Sequence, residues 1–186
     1  MTTARRTLSA ACAALLLAAA PGAPMAAGPA PAGGIAPACT AAGYRQFDFW
    51  IGDWDTFEAD DPQGASIARA RIAPVAQGCG LHELYEQADG LIGDSLLGYD
   101  PVRGQWQQTW VTNRGALMVL WGGWRDGALV LEGPSHQADG STVLQRITWR
   151  REGDAVRESA RMSKDGGKTW APAFDVVFRK RVTKDD

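Results

Sequence analysis

From Trp54 onward apolar and polar residues alternate in short runs broken by turn signals, which is the period of strands that turn one face to a core. In LHELYEQ, Leu81, Glu83 and Tyr85 share one face, and in WQQTWVT, Trp106, Gln108, Trp110 and Thr112 share one. The runs predict ten strands over 54–60, 66–77, 81–88, 94–99, 105–112, 116–125, 128–132, 143–151, 155–162 and 174–182. Between them Asp61-Pro62-Gln63-Gly64, Asp89-Gly90, Asp126-Gly127, Asp139-Gly140 and Gly153-Asp154 carry the chemistry of tight reversals. Consecutive hairpins of this kind make an all-β, antiparallel, up-and-down sheet. Closing it into a single barrel removes both open edges and encloses an interior of ligand size.

Ahead of the strands stands FDFWIGDWD, residues 47–55. Phe47, Trp50, Ile51 and Trp54 fall at i, i+3, i+4 and i+7, which predicts a short helical plug with one apolar face. Gly52 frees the backbone to leave the helix, and Trp54 opens the first strand. If the last strand pairs with the first, Arg179 or Arg181 would reach the face of Trp54 or Trp50 as a cation–π cap.

Gly52-Asp53-Trp54 has the G-x-W form found at the start of lipocalin-like, or calycin, barrels. The chain after Phe47 resembles an uncharacterised family of secreted bacterial barrel proteins. The resemblance is carried in order by FDFWIGDWD, Gly78-Cys79 with Glu83, SLLGYD at 95–100, WQQTWV at 106–111, RITW at 146–149 and SKDGGKTW at 163–170. It implies a calycin-like barrel and export, and no particular activity. At 158–161 the chain departs from that family's pattern: Glu158 and Ala160 stand where Gln and an aromatic are expected.

The length of 186 residues allows one domain once the N-terminus is set aside. Arg5 and Arg6 precede an apolar run over 8–20, too short for a bilayer span but suited to a secretory signal. We read 1–27 as signal, with cleavage after Ala20, Ala26 or Ala27. Residues 28–43 form an Ala/Gly/Pro-rich flexible leader, and 44–186 the barrel domain. That implies a periplasmic or secreted protein with no transmembrane segment once mature. Losing Arg5 and Arg6 takes the formal charge from −2 to about −4, and no basic stripe is present, which argues against a nucleic-acid partner. Cys12 falls in the signal. Cys39 and Cys79 then remain, and in an oxidising compartment they suggest one disulfide, the alternative being two free thiols.

SKDGGKTW also fits the Asp-box pattern of sialidases, but a single copy is a hairpin: Asp165 accepts from the turn backbone, Gly166 and Gly167 take positive φ, and Trp170 folds back. His82 and His136 lie far apart, with no acidic or cysteine cluster to make a metal site. Haem on His136 is the sharper reading of that residue and a solvated loop position the ordinary one, so no cofactor is called for. No G-x-S-x-G elbow occurs.

Strand parity is the more informative signal. It assembles an interior of Glu83, Tyr85, Tyr99, Trp106, Gln108, Trp110 and Arg146, although Ile147 and Trp149 would make an equally good inward face to Arg146. Aromatic walls would hold a small, partly apolar molecule while Glu83, Gln108 and Arg146 fix its polar end. A core filled by side chains, with Glu83 paired to Arg146, satisfies the same residues. A third reading is a small barrel enzyme of lyase or isomerase type, with Glu83 as general base and Tyr99 or Tyr85 as proton donor.

Overall fold

The computed structural model describes residues 39–137 and 139–182. The expected signal segment, residues 28–38 of the expected leader and residues 183–186 lie outside the described residues. Ten antiparallel strands close into one up-and-down barrel. They are β1 (Gly52–Glu58), β2 (Ala68–Val75), β3 (Gly80–Gln87), β4 (Ile92–Asp100), β5 (Gln105–Thr112), β6 (Leu117–Arg125), β7 (Ala128–His136), β8 (Thr142–Glu152), β9 (Ala155–Ser163) and β10 (Ala171–Lys180). Each pairs with its successor, and β10 returns to β1 with Phe178 opposite Thr56. Every strand therefore has two partners, which leaves no open edge.

The hairpins form where turn chemistry placed them. Asp126 and Gly127 both take positive φ, 52° and 73°, the type I′ geometry whose twist suits a two-residue reversal between β6 and β7. β2 ends earlier than the apolar pattern suggests. Ala76 and Gln77 adopt positive φ in a 3-10 turn (Ala76–Gly78), so the chain reverses two residues before 77. β7 runs on to His136 and β10 starts at Ala171, both longer than expected because their pairing partners continue.

The expected helical plug is corrected in form. A helix α1 (Ala42–Arg45) and a separate 3-10 turn (Asp48–Trp50) precede β1, and Ile51 is already extended at ψ 130°. Phe47 and Trp50 meet because one 3-10 turn brings i and i+3 together, their rings stacked at 4.9 Å. Trp54 joins them from β1 by strand parity, and its indole N–H donates to the Trp50 carbonyl at 2.8 Å. With Trp106, Trp149 and Phe178 they make an aromatic core closing one end of the barrel, each side chain no more than 1 % exposed.

The cation over Trp54 is Lys180, not Arg179 or Arg181. Its Nζ lies 3.8 Å from the ring centroid and donates to the Ile51 carbonyl at 2.5 Å. Lys180 shares the inward parity of Val176 and Phe178, whereas Arg179 lies over Phe57 and Arg181 pairs with Asp55 at 3.0 Å. Gly52, at φ 142°, leaves the space: a Cβ there would stand 2.1 Å from Lys180 Nζ. The glycine of the G-x-W signature thus makes room for the cation that caps its tryptophan.

Cys39 and Cys79 are disulfide-bonded. The bridge fastens the last part of the expected leader, residues 39–43, to the turn between β2 and β3, and Ala42 and Gly43, expected to be flexible, already belong to α1. The loop over 163–170 has the expected hairpin form. Asp165 Oδ1 accepts from the backbone N–H groups of Lys168 and Thr169, Gly166 and Gly167 take positive φ, and the Trp170 indole donates to the Gly167 carbonyl at 3.0 Å.

Candidate functional site

Strand direction decides where space remains. The aromatic core occupies the end of the barrel where β1 begins, and the opposite half is less filled. There a cavity of about 320 Å³ is lined from β3 by Glu83, Tyr85 and Gln87 and from β5 by Gln108 and Trp110. Glu158 of β9, Gln145 of β8 and Glu58 of β1 add further polar groups. Apolar wall comes from Ile67, Leu91, Met118, Ile147, Phe174 and Val176. Gln87 ends β3, Leu91 lies in the turn before β4 and Ile67 just precedes β2, so the cavity opens toward that rim.

Tyr85 and Trp110 meet edge to face with centroids 6.1 Å apart. The Trp110 ring lies over Gly93 of β4, where a Cβ would come within 2.1 Å of ring atoms. A glycine at that register position thus permits an indole to line the wall. Deeper in, Glu83 is 3 % exposed and accepts from the Ser95 hydroxyl at 2.8 Å. Gln108, also 3 % exposed, has no hydrogen-bond partner for its Oε1, and Thr56 has none for its hydroxyl.

Burial pushes the Glu83 carboxyl up from 4.5 to about 7, with the Ser95 hydrogen bond opposing the rise and the charge of Asp94, on the outer face of β4, adding to it. Burial also lifts Glu158 well above the ordinary carboxyl range, and the charge of Glu83 lifts it further. The Trp149 indole N–H approaches Glu158 closely enough to temper that rise, yet falls short of hydrogen-bond geometry. Burial, then the charges of Glu158, Glu83 and Glu58, raise the Tyr85 phenol above its usual range. Among the described residues, no lysine, arginine or histidine lines the cavity to offset these acids.

Of the expected interior residues, Glu83, Tyr85, Gln108 and Trp110 are brought together. Tyr99 and Trp106 point inward but belong to the closed end. Tyr99 packs on Tyr44 at 5.1 Å and Trp106 at 5.8 Å, and the Trp106 indole donates to Gln46 at 3.2 Å. Arg146 is on the outer face, since Ile147 and Trp149 take the inward parity of β8. Its guanidinium pairs with Glu132 at 2.9 Å and covers the Trp170 ring at 4.0 Å, so the Glu83–Arg146 pair does not form. His82, bonded to Asp94 at 2.8 Å, and His136, bonded to Thr142 at 3.0 Å, also lie on the outside, and neither reaches the cavity.

Sequence reasoning missed Glu58, Gln145 and above all Glu158 as lining residues. The signal for Glu158 was present: Val156, Glu158 and Ala160 alternate, and the hairpin joining β8 to β9 sets Glu158 opposite the inward Trp149.

No protein-family model matches the chain, and no curated protein does. Fold and site alone define the class: a small closed β-barrel, sealed by aromatic side chains at one end, with an acidic, aromatic-walled cavity opening at the other. A buried and a half-buried carboxyl, both with raised pKa values, can keep their protons, accept hydrogen bonds from a guest, or pass a proton to and from it.

Proposed function

We propose that this barrel binds a small, partly apolar molecule in its interior, and that it does so after export, in the periplasm or outside the cell. The observation that carries the reading is Gln108: a side chain buried to 3 % exposure in a cavity wall, with an acceptor oxygen left without a partner. Buried polar groups are ordinarily satisfied, and a guest that donates to this oxygen would satisfy it. Apolar and aromatic walls beside it supply the surface on which the body of such a guest would rest. The disulfide accords with an oxidising compartment, as does the resemblance to secreted barrel proteins, whose membership we also propose. Native mass spectrometry of protein exported by its own host tests the reading: a retained small molecule is the expected result, lost when Gln108 and Trp110 are both replaced by Ala.

Catalysis is the second reading, favoured by the raised pKa of Glu83, about 7, with a second, half-buried carboxyl of raised pKa in the same lining. Glu83 would act as general base in a lyase or isomerase type of reaction, with Glu158 rather than Tyr99 within reach as the acid. A guest recovered chemically changed separates this reading from simple binding.

A further inference from the structure

We infer that the guest of this cavity is a compact, partly apolar molecule carrying a protonated amine, received by Glu83, Glu158 and Gln108. The inference rests on the binding reading above and adds the chemical class. Three carboxyls line the cavity, Glu83 from β3 and Glu158 from β9 inside and Glu58 from β1 exposed at the rim, and among the described residues no cationic side chain lines it. Ion pairs on the outer surface use the arginines elsewhere, so the interior acids face one another without a counter-charge. Inside a low-dielectric wall such acids either keep their protons or find a cation.

Gln108 is the independent observation. Its unpartnered Oε1 requires an N–H or O–H donor, which a carboxylate group lacks and a quaternary ammonium lacks as well. A primary ammonium carries one positive charge and three N–H donors, so it can supply counter-charge to the carboxyls and a donor to the amide together. The organic body attached to it would lie against Trp110, Met118 and Phe174 toward the rim.

Uptake of the cation requires Glu83 to lose its proton, so binding is coupled to pH. The groups facing Glu83 are Glu58 from β1, Tyr85 from its own strand and Glu158 from β9, with Asp94 acting through the wall from the outside of β4. The lining residues of β5, β6, β8 and β10 are uncharged. All the charges that bear on Glu83 therefore oppose its ionisation, and a bound ammonium reverses that.

The test is a titration of the protein's tryptophan emission with four matched compounds: 2-phenylethylamine, its N,N,N-trimethyl analogue, 2-phenylethanol and 3-phenylpropanoate. At pH 8 the primary amine is expected to bind about tenfold or more tightly than the alcohol, with the trimethyl analogue weaker than the amine and the propanoate weakest. Its affinity should fall about tenfold between pH 8 and pH 6, as a carboxyl titrating near 7 requires, while that of the alcohol stays level. Glu83→Gln and Glu158→Gln should each bring the amine-to-alcohol affinity ratio at pH 8 down toward one and flatten the amine's pH dependence, the second variant serving if the first does not fold. Alcohol or propanoate binding as tightly as the amine overturns the inference and leaves the binding reading standing. Failure of all four overturns it too, and exclusion of the neutral reporter N-phenyl-1-naphthylamine would then overturn the binding reading with it.

Discussion

Glu83 on β3 and Glu158 on β9 project into one cavity, and the charge of Glu83 opposes the ionisation of Glu158. Neither has a cation beside it in the lining. Each gains more from its proton in the folded protein than in the unfolded chain, which fixes how stability responds to pH.

Stability should fall as pH rises from 4.5 to 7. A carboxyl whose folded pKa lies above its unfolded value contributes stability that is fully present below the unfolded pKa and lost as pH passes the folded one. For Glu83, moving from 4.5 to about 7, the loss is of the order of 3 kcal/mol, and Glu158 acts in the same direction. Asp165, held down to about 2 by the Thr169 hydroxyl and backbone and by Ser163, acts oppositely: its contribution is present above 3.8 and lost as pH falls toward 2. Urea midpoints should therefore peak near pH 4 to 5, and Glu83→Gln should flatten the decline. A midpoint that rises steadily from pH 4.5 to 7 would show these carboxyls to be ordinary.

Trp54→Ala should cost about 3 to 5 kcal/mol, the range for truncating a buried aromatic. Lys180→Met should cost about 1 to 2 kcal/mol through the lost cation–π contact and the Ile51 carbonyl left without its donor. Asp53→Asn removes an exposed 3.7 Å pairing with Arg71 and a solvent-screened charge near Lys180, and should shift the urea midpoint little. Equal, small effects from all three would contradict the central place of the aromatic core.

Reducing the Cys39–Cys79 bridge should lower stability without altering the fold. With the cysteines 40 positions apart in sequence, the chain-entropy model gives about 4 kcal/mol as an upper figure. Peptide mapping under non-reducing conditions should recover the two half-cystine peptides joined, and free alkylation of both thiols in the native protein would remove the bridge.

Gly93→Ala should alter the cavity while sparing the backbone. Gly93 does not use a positive φ, so alanine fits the strand, but its Cβ would stand 2.1 Å from the Trp110 ring and push the indole aside. Tryptophan emission should shift and N-phenyl-1-naphthylamine should bind less tightly, while the thermal midpoint changes modestly. Unchanged emission and binding would mean that Trp110 does not shape the cavity.

Much of this architecture was legible because alternation and turn chemistry are local. Asp126-Gly127 announces its hairpin, and Leu81, Glu83 and Tyr85 announce their face. What escaped was set by register between strands. Arg146 and Ile147 are adjacent in sequence and equally plausible as inward residues, and only the pairing of Ile147 with Leu131 and Ala160 decides between them. Tyr99 and Trp106 have the inward parity expected, but their height along the barrel places them under α1 and the 3-10 turn, and height cannot be read from parity. The spacing in FDFWIGDWD suggested one helix, whereas the same aromatic cluster is assembled from a 3-10 turn and a strand. A change of backbone at Gly52 hides that from any single periodicity.

The aromatic stopper of Phe47, Trp50 and Trp54 makes this molecule a cup rather than a tube. With that end filled by buried side chains, the guest proposed above would enter and leave by the rim, and the order of its parts would be fixed on entry: the head that meets the carboxyls goes in first. A long substituent would trail into solvent through the rim instead of being enclosed.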